Sequence, residues 1–360
     1  MTKRLLLLFI LCVSLVACEA SVGTQQASKV MQNEDELIVS FFNVGQGDAT
    51  LLQTKDITIL IDAGRHDRED VVELLHGAGV EEIDLFVGTH PHADHIGQAD
   101  RVLQSFPVEE VWMSGDTHTT RTFERTIAAI ASSDVNYYEP RAGEVFDIGS
   151  LRIEVLNPSE LTGDFHEGAI GLRVDHGEVG WLFMADIEVD VELDLVDAGV
   201  NLEADVIRLG HHGSSTSSHE DFLDQVNARY AVYSAGVDNE YGHPHREVIE
   251  RLNQRPLEWF GTDLHGNIYM KSDGENIVVE LEKEPSGKTE ATSEVPCIDV
   301  NVATIEELSY IVHIGEERAE ELVTLRPIKD LKQLTDIHGI GQGRLSDILD
   351  EEVACLYGGE

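Results

Sequence analysis

The apolar run Leu85-Phe86-Val87 is followed, after two residues, by His90-Pro91-His92-Ala93-Asp94-His95. This juxtaposition constrains the fold more than any other stretch. Three consecutive large apolar residues read as a buried strand, so the imidazoles and the carboxylate must emerge together at its C-terminal end. Neutral imidazoles and an ionised carboxylate are the ligands of a hydrolytic divalent-metal site that keeps one position open to water. Alternating side-chain direction lets His90 and His92 share one ion, while Asp94 and His95 reach a second. A His-rich surface loop without a ligand would leave the density of the cluster, directly after a core strand, unexplained.

The remaining pattern mixes strands with helices. Strand-like runs at 37–39, 49–53 and 57–61 alternate with Gly-rich turns, and Val71, Val72, Leu74 and Leu75 mark one face of a helix over 67–76. Further helices are expected at 100–105 and 123–132, and further strands at 151–156 and 170–174. Motifs at strand ends suit two packed sheets flanked by helices. The 360 residues allow two domains, or one large and one small. Residues 283–296 are nearly devoid of apolar side chains and read as a linker. Beyond it, His313-Ile314-Gly315 and Gly339-Ile340-Gly341 each precede a helical pattern, which makes an internal repeat within 297–360.

The N-terminus reads as an address. Lys3-Arg4 precede an apolar stretch that begins at Leu5, too short for a stable membrane span, and Leu15-Val16-Ala17-Cys18 resembles a bacterial lipobox. Residues 1–18 are therefore expected to be a lipoprotein signal with Cys18 lipidated, and 19–35 a flexible tether. That places the body, 36–282, in the cell envelope outside the cytoplasm, held to the membrane by lipid alone. Of the four cysteines only Cys297 and Cys355 then remain, and in an oxidising compartment they are expected to pair. The chain carries 25 basic and 68 acidic residues, a formal net charge of −43, with no lysine between Lys55 and Lys271. Acids spread through the whole chain, rather than gathered in a tail, point to a halophilic adaptation in which concentrated salt screens self-repulsion.

The histidine cluster, with Thr89 before it and Ile96-Gly97 after it, resembles the signature of the metallo-β-lactamase superfamily. Over 36–282 the chain more closely resembles the extracellular hydrolase-like domain of ComEC-type DNA-uptake proteins. Asn43-Val44-Gly45-Gln46-Gly47-Asp48-Ala49, Ile61-Asp62-Ala63-Gly64, Gly210-His211-His212-Gly213-Ser214, Tyr241-Gly242-His243-Pro244 and Gly261-Thr262-Asp263 follow in the family's order. The resemblance implies an αββα sandwich. Residues 298–356 resemble the helix-hairpin-helix domain of ComEA-type DNA receptors, a small all-α unit.

From the resemblance follows a ligand set of two divalent ions, zinc by its imidazole content or manganese. Asp186 stands where the superfamily has an aspartate bridging both ions, although Ala185 replaces the usual glycine before it. His211 is favoured to complete the second site, with His212 as the alternative, and His166 is the candidate for the third histidine motif. Asp48 and Asp62 are expected behind the ligating histidines, fixing their tautomers. Asp94 and His243 are expected to serve catalysis, His243 by protonating the leaving oxygen. Ser214 and Ser215 offer a phosphate-binding turn. Gly315, Gly339 and Gly341 would let backbone N–H groups approach DNA phosphates.

Together these imply an envelope-anchored, metal-dependent phosphodiesterase, a nuclease acting on extracellular DNA in a competence-like setting. Uptake itself would need a separate channel protein. The alternatives are a metallo-hydrolase of lactones, β-lactams or small phosphodiesters, and a non-enzymatic DNA-binding lipoprotein.

Overall fold

A computed structural model describes residues 36–284, 298–308, 311–350 and 354–356. The signal, Cys18, the tether, Cys297 and most of the linker lie outside the described residues. The chain divides after residue 285 into two compact units. No helix among the described residues is long and apolar enough to cross a membrane.

The first unit is a sandwich of two mixed sheets. Strands β1 (Leu37–Phe41), β2 (Thr50–Gln53), β3 (Thr58–Ile61), β4 (Ile83–Gly88), β5 (Val108–Met113) and β6 (Asn136–Tyr138) lie side by side in that order. The second sheet runs from β7 (Val145–Ile148) through β8 (Leu151–Asn157), β9 (Gly171–His176), β10 (Val179–Phe183), β11 (Val206–Arg208) and β12 (Tyr230–Tyr233) to β13 (Glu258–Gly261). The chain then returns as β14 (Ile268–Ser272) and β15 (Ile277–Leu281), completing the first sheet beyond β1.

The period-two alternation of strands decides which side chain goes where. In β4, Leu85 and Val87 join Phe41, Ile61, Ile153, Trp181 and Phe183 between the sheets. Phe86 points the other way, into a layer with Val71 and Leu75 of α1 (Val71–Gly77), Val102 of α2 (Ala99–Ser105) and Ile130 of α3 (Arg121–Ser132). On the far side, Leu182, Ile207 and Ala231 meet Leu195 of α4 (Val189–Asp197), Phe222 of α5 (Glu220–Val226) and Val248 of α6 (Arg246–Asn253). The expected αββα layering is what forms. Burial on both faces is why these strands read as continuous apolar runs.

The parallel strands β3, β4, β10, β11 and β12 end on the loops that carry Asp62, His90 to His95, Asp186, His211-His212 and His243. Helix α1 starts at Val71, later than the expected 67, because Arg65-His66-Asp67-Arg68 form a polar loop instead.

The second unit buries Val300, Leu308, Ile314, Ala319, Leu322, Ile340, Leu345 and Ile348. Its helices Glu316–Leu325 and Gln342–Asp350 start at the two Gly-containing turns. His313 (φ 63°) and Gly339 (φ 83°) hold the same left-handed position in the two repeats. Arg318 staples the turns by donating to the carbonyls of His313 and His338. A two-residue parallel pair, Ile298–Asp299 with Ala354–Cys355, closes the unit and is its one departure from all-α among the described residues. Cys355 is disulfide-bonded; its expected partner, Cys297, lies outside the described residues.

Candidate metal centre

The loop after β4 delivers its side chains in the order the strand dictates. Thr89 donates its amide and hydroxyl to Asp62 at the end of β3, at 2.9 and 2.8 Å. That leaves the Thr89 oxygen to accept from His90 Nδ1 at 3.2 Å. His95 Nδ1 reaches the same carboxylate at 2.7 Å. His212 Nδ1 donates to the Ser234 carbonyl at 3.0 Å, and His211 Nδ1 to Glu188 at 3.1 Å. Fixing the proton on Nδ1 leaves Nε2 as the outward lone pair, the tautomer a metal needs.

These Nε2 atoms converge on one oxygen. Asp186 Oδ2 lies 3.2 Å from His95, 3.7 Å from His90, 3.7 Å from His212 and 3.8 Å from His211. Asp186 is buried, and its other oxygen, Oδ1, has no hydrogen-bond partner. A buried carboxylate oxygen without a partner is costly, and a cation accounts for it. His92 Nδ1 faces His90 Nε2 at 3.0 Å, a pair that likewise suits a shared cation.

Ligand atoms of His90, His92, His166 and Asp186 lie within 4.8 Å of one another, as do those of Asp48, His95, Asp186 and His212. Asp186 is common to both groups. A third group, His166, Glu188 and His211, sits at the cleft mouth and borrows His166 from the first. The donor set therefore fits a divalent-metal site, with Asp186 common to two of the groups.

Electrostatics set the protonation states. Burial, then the charge of His95, hold His90 well below the ordinary imidazole value, and the same causes bring His92 to about 4. Burial also lowers His211. His95 is the exception: burial opposes its charge, but the carboxylates of Asp186 and Asp62 outweigh that and raise it well above the ordinary value. Asp186 stays ionised against the cost of burial because His95 and His212 face it. Asp94 is likewise lowered against burial, by its hydrogen bond to His212.

Several assignments are refined by this geometry. His212, not the favoured His211, stands in the buried group, with its Nε2 3.2 Å from Asp94. The cause is the backbone: both residues adopt left-handed φ (46° and 56°), and the turn directs His212 inward and His211 to Glu188. Asp48 lies behind the imidazoles, 3.8 Å from His95 Nδ1 and 3.6 Å from His212 Nδ1, and pairs with the buried Arg208. Ser214 and Ser215 lie in the turn that follows His212. The Ser214 hydroxyl pairs with Thr216 and the Ser215 amide donates to His245.

His243 does reach the cleft. Its Nδ1 accepts from Gln46 at 3.1 Å, which leaves an Nε2–H, and burial followed by His212 lowers its pKa to about 4. The cleft, about 370 Å³, is also lined by Gln46, His118, Thr120 and Tyr241. Sequence reasoning did not single out these four as cleft residues, nor Glu188 and Arg208. Gln46 and Tyr241, inside quoted motifs, and Glu188, two residues beyond Asp186, had a positional signal.

Residues 42–237 match the family model of the metallo-beta-lactamase superfamily, and 294–350 match that of the helix-hairpin-helix motif. ComE operon protein 3 of Bacillus subtilis is 27% identical over 250 residues, which cover 64% of this chain and 32% of that protein. Competence protein ComA of Neisseria gonorrhoeae is 31% identical over 240 residues, covering 65% and 32%. A deoxyribonuclease of Thioalkalivibrio is 34% identical over 96 residues, 26% of this chain and 24% of its own. The chain thus spans about a third of the length of the two competence relatives.

Proposed function

Because the chain belongs to the metallo-beta-lactamase superfamily, we propose that it is a metal-dependent phosphodiesterase that cleaves DNA outside the cytoplasm. The observation that carries this reading is the sharing of buried Asp186 by two ligand groups at the floor of an open cleft, in a chain that also holds a helix-hairpin-helix motif. Two divalent ions held there would supply Lewis acidity and a hydroxide at neutral pH. Zinc suits the imidazole-rich set, and the carboxylates admit manganese.

The chain's own residues do the rest. Asp62, Thr89, Glu188 and the Ser234 carbonyl orient the rings from behind. His243, held by Gln46, lines the cleft and would protonate the leaving oxygen. In the second unit, the helix starts after Gly315 and Gly341, with Gly339 beside them, present backbone N–H groups suited to DNA phosphates. The similarity to the competence proteins and to a deoxyribonuclease favours DNA over a lactone or β-lactam. Lipidation at Cys18, an envelope location, a separate uptake channel and adaptation to concentrated salt belong to the same reading.

The test is hydrolysis of labelled DNA and of bis(p-nitrophenyl) phosphate by the full chain, with zinc or manganese and with chelator. Cleavage that needs metal and is lost in His92→Ala supports the reading. Turnover of a lactone or β-lactam, with no phosphodiester cleaved, overturns it.

A further inference from the structure

A second cleft, about 460 Å³, opens beside the metal cleft and shares Gln46 and Tyr241 with it. The two clefts are therefore neighbours, with these side chains common to both. Its wall carries Arg65, Arg68, Asn43 and Asn239. Tyr241 lines both clefts with 58% of its surface exposed. It is held nonetheless, stacked on His243 with centroids 5.6 Å apart and planes 24° apart. His243 in turn lies 6.0 Å, centroid to centroid, from His212 in the metal centre.

The arginines are as deliberately placed. Arg65 spends Nε and one terminal nitrogen on Asp67, and Arg68 spends its own on Asp70. Both guanidiniums are fixed by these pairs, and each keeps donors on its remaining terminal nitrogen. Gly45, at φ 74°, lets Arg68 lie against the loop: a Cβ there would meet its terminal nitrogen at 3.2 Å. Asp67, Asp238 and Glu240 also line the cleft, so recognition here would rest on directed hydrogen bonds rather than on net positive charge.

We propose that this cleft is the subsite for the nucleotide next to the scissile phosphate of a single-stranded DNA chain, with its base stacked on Tyr241 and its phosphate against Arg65 and Arg68. The proposal rests on the phosphodiesterase reading and names its substrate class. An aromatic platform beside backbone-tracking donors is how proteins hold single strands. Within a duplex each base already stacks on its neighbours, so Tyr241 can receive only an unpaired base.

The test compares wild-type full chain, Tyr241→Ala, Tyr241→Phe and Arg65→Ala/Arg68→Ala, metal-loaded, on a single-stranded oligonucleotide and on bis(p-nitrophenyl) phosphate. Tyr241→Ala should lower oligonucleotide kcat/KM roughly tenfold more than that of the small substrate, through KM. Tyr241→Phe should restore it, and the arginine variant should show the same KM-weighted loss. If wild type cleaves DNA but the ratio between substrates is the same in Tyr241→Ala, or duplex is preferred, the subsite is overturned and the phosphodiesterase reading stands. If wild type hydrolyses only the small diester, both DNA readings fall. If neither substrate is hydrolysed, binding of a labelled single-stranded tetranucleotide to the metal-free chain decides: weakening in Tyr241→Ala supports the subsite, and equal binding overturns it.

Discussion

Metal loading should displace a proton from His95. Its Nδ1 lies 2.7 Å from Asp62 and its Nε2 3.2 Å from Asp186. Burial opposes a charge on the ring, but the attraction of the two carboxylates outweighs it and raises the pKa well above the ordinary value, so the ring holds both protons. His90, His92 and His211, lowered by burial, carry no such proton at neutral pH. A cation that takes Nε2 must expel one proton, so apparent affinity should rise about tenfold per pH unit until the pH passes the folded-state value.

The same shift bears on stability. A raised folded-state pKa stabilises the metal-free fold fully below about pH 6.5, the value of an unfolded imidazole. That contribution fades as pH rises through the folded value, so metal-free protein should lose stability on the alkaline side and metal-loaded protein should not lose it from this cause. Nitrogen-15 NMR of the histidine rings reads the charge directly: the His95 ring should be doubly protonated without metal at pH 8 and singly protonated with it. Calorimetry in buffers of differing ionisation enthalpy should count at least one proton released at that pH, with ionisation of bound water adding to it. A neutral His95 ring in metal-free protein at pH 8 would refute the reasoning. In Asp62→Asn the ring should deprotonate at lower pH and metal should bind roughly 10–100-fold more weakly.

Other consequences are as direct. Asp48 and Arg208 have side chains only 5% and 3% exposed, so in chelator Asp48→Ala should cost about 3–5 kcal/mol and lower Tm by roughly 10 °C. Asp48→Leu/Arg208→Met should recover most of that loss, and a single variant melting with wild type would remove the argument. By elemental analysis His92→Ala should retain close to one ion and Asp186→Ala close to none, because Asp186 belongs to both groups; equal loss in the two contradicts a shared carboxylate. The Cys355 disulfide, if made to Cys297, closes a loop of about sixty residues and should stabilise the second unit by about 4 kcal/mol; a different partner in a non-reducing peptide map would break the pairing. Residues 297–360 hold 14 acidic and 5 basic side chains, so DNA binding by the full chain through this unit should hold or rise with salt towards molar, against the usual counterion-release slope. A steep loss with salt, read by anisotropy, contradicts it.

The layering of the fold was legible because each buried strand leaves its mark over a few consecutive residues. Leu85, Phe86 and Val87 read as core before anything showed that the first and third face Trp181 and Phe183 while the second faces α1 to α3. Asp62, His90, His92, His95 and Asp186 were legible for the same reason: each stands at the end of such a strand or just past it. Polar loops carry no period, so the start of α1 and the placing of Arg65 and Arg68 were not readable.

What sequence could not decide was direction within a turn. His211 and His212 are adjacent and chemically identical, and only two successive left-handed φ values send one into the buried centre and the other to Glu188. The hydrogen bonds of Ser214 and Ser215, made through Thr216 and His245, depend on the turn geometry in the same way. Glu188 and Arg208 show the other limit. Their roles arise from partners 23 residues and more away in the chain, His211 for one and the Asp48 carboxylate for the other. A charged residue in a chain with 68 acids gives no local sign of such a partner. The ligands at strand ends, and Asp62 behind them, were thus readable from their own neighbourhoods, whereas Glu188 and Arg208 had to be found in three dimensions. That division follows from the physics: a ligand must sit at a strand end to be rigid, but a group behind it needs only to arrive there, from any part of the chain.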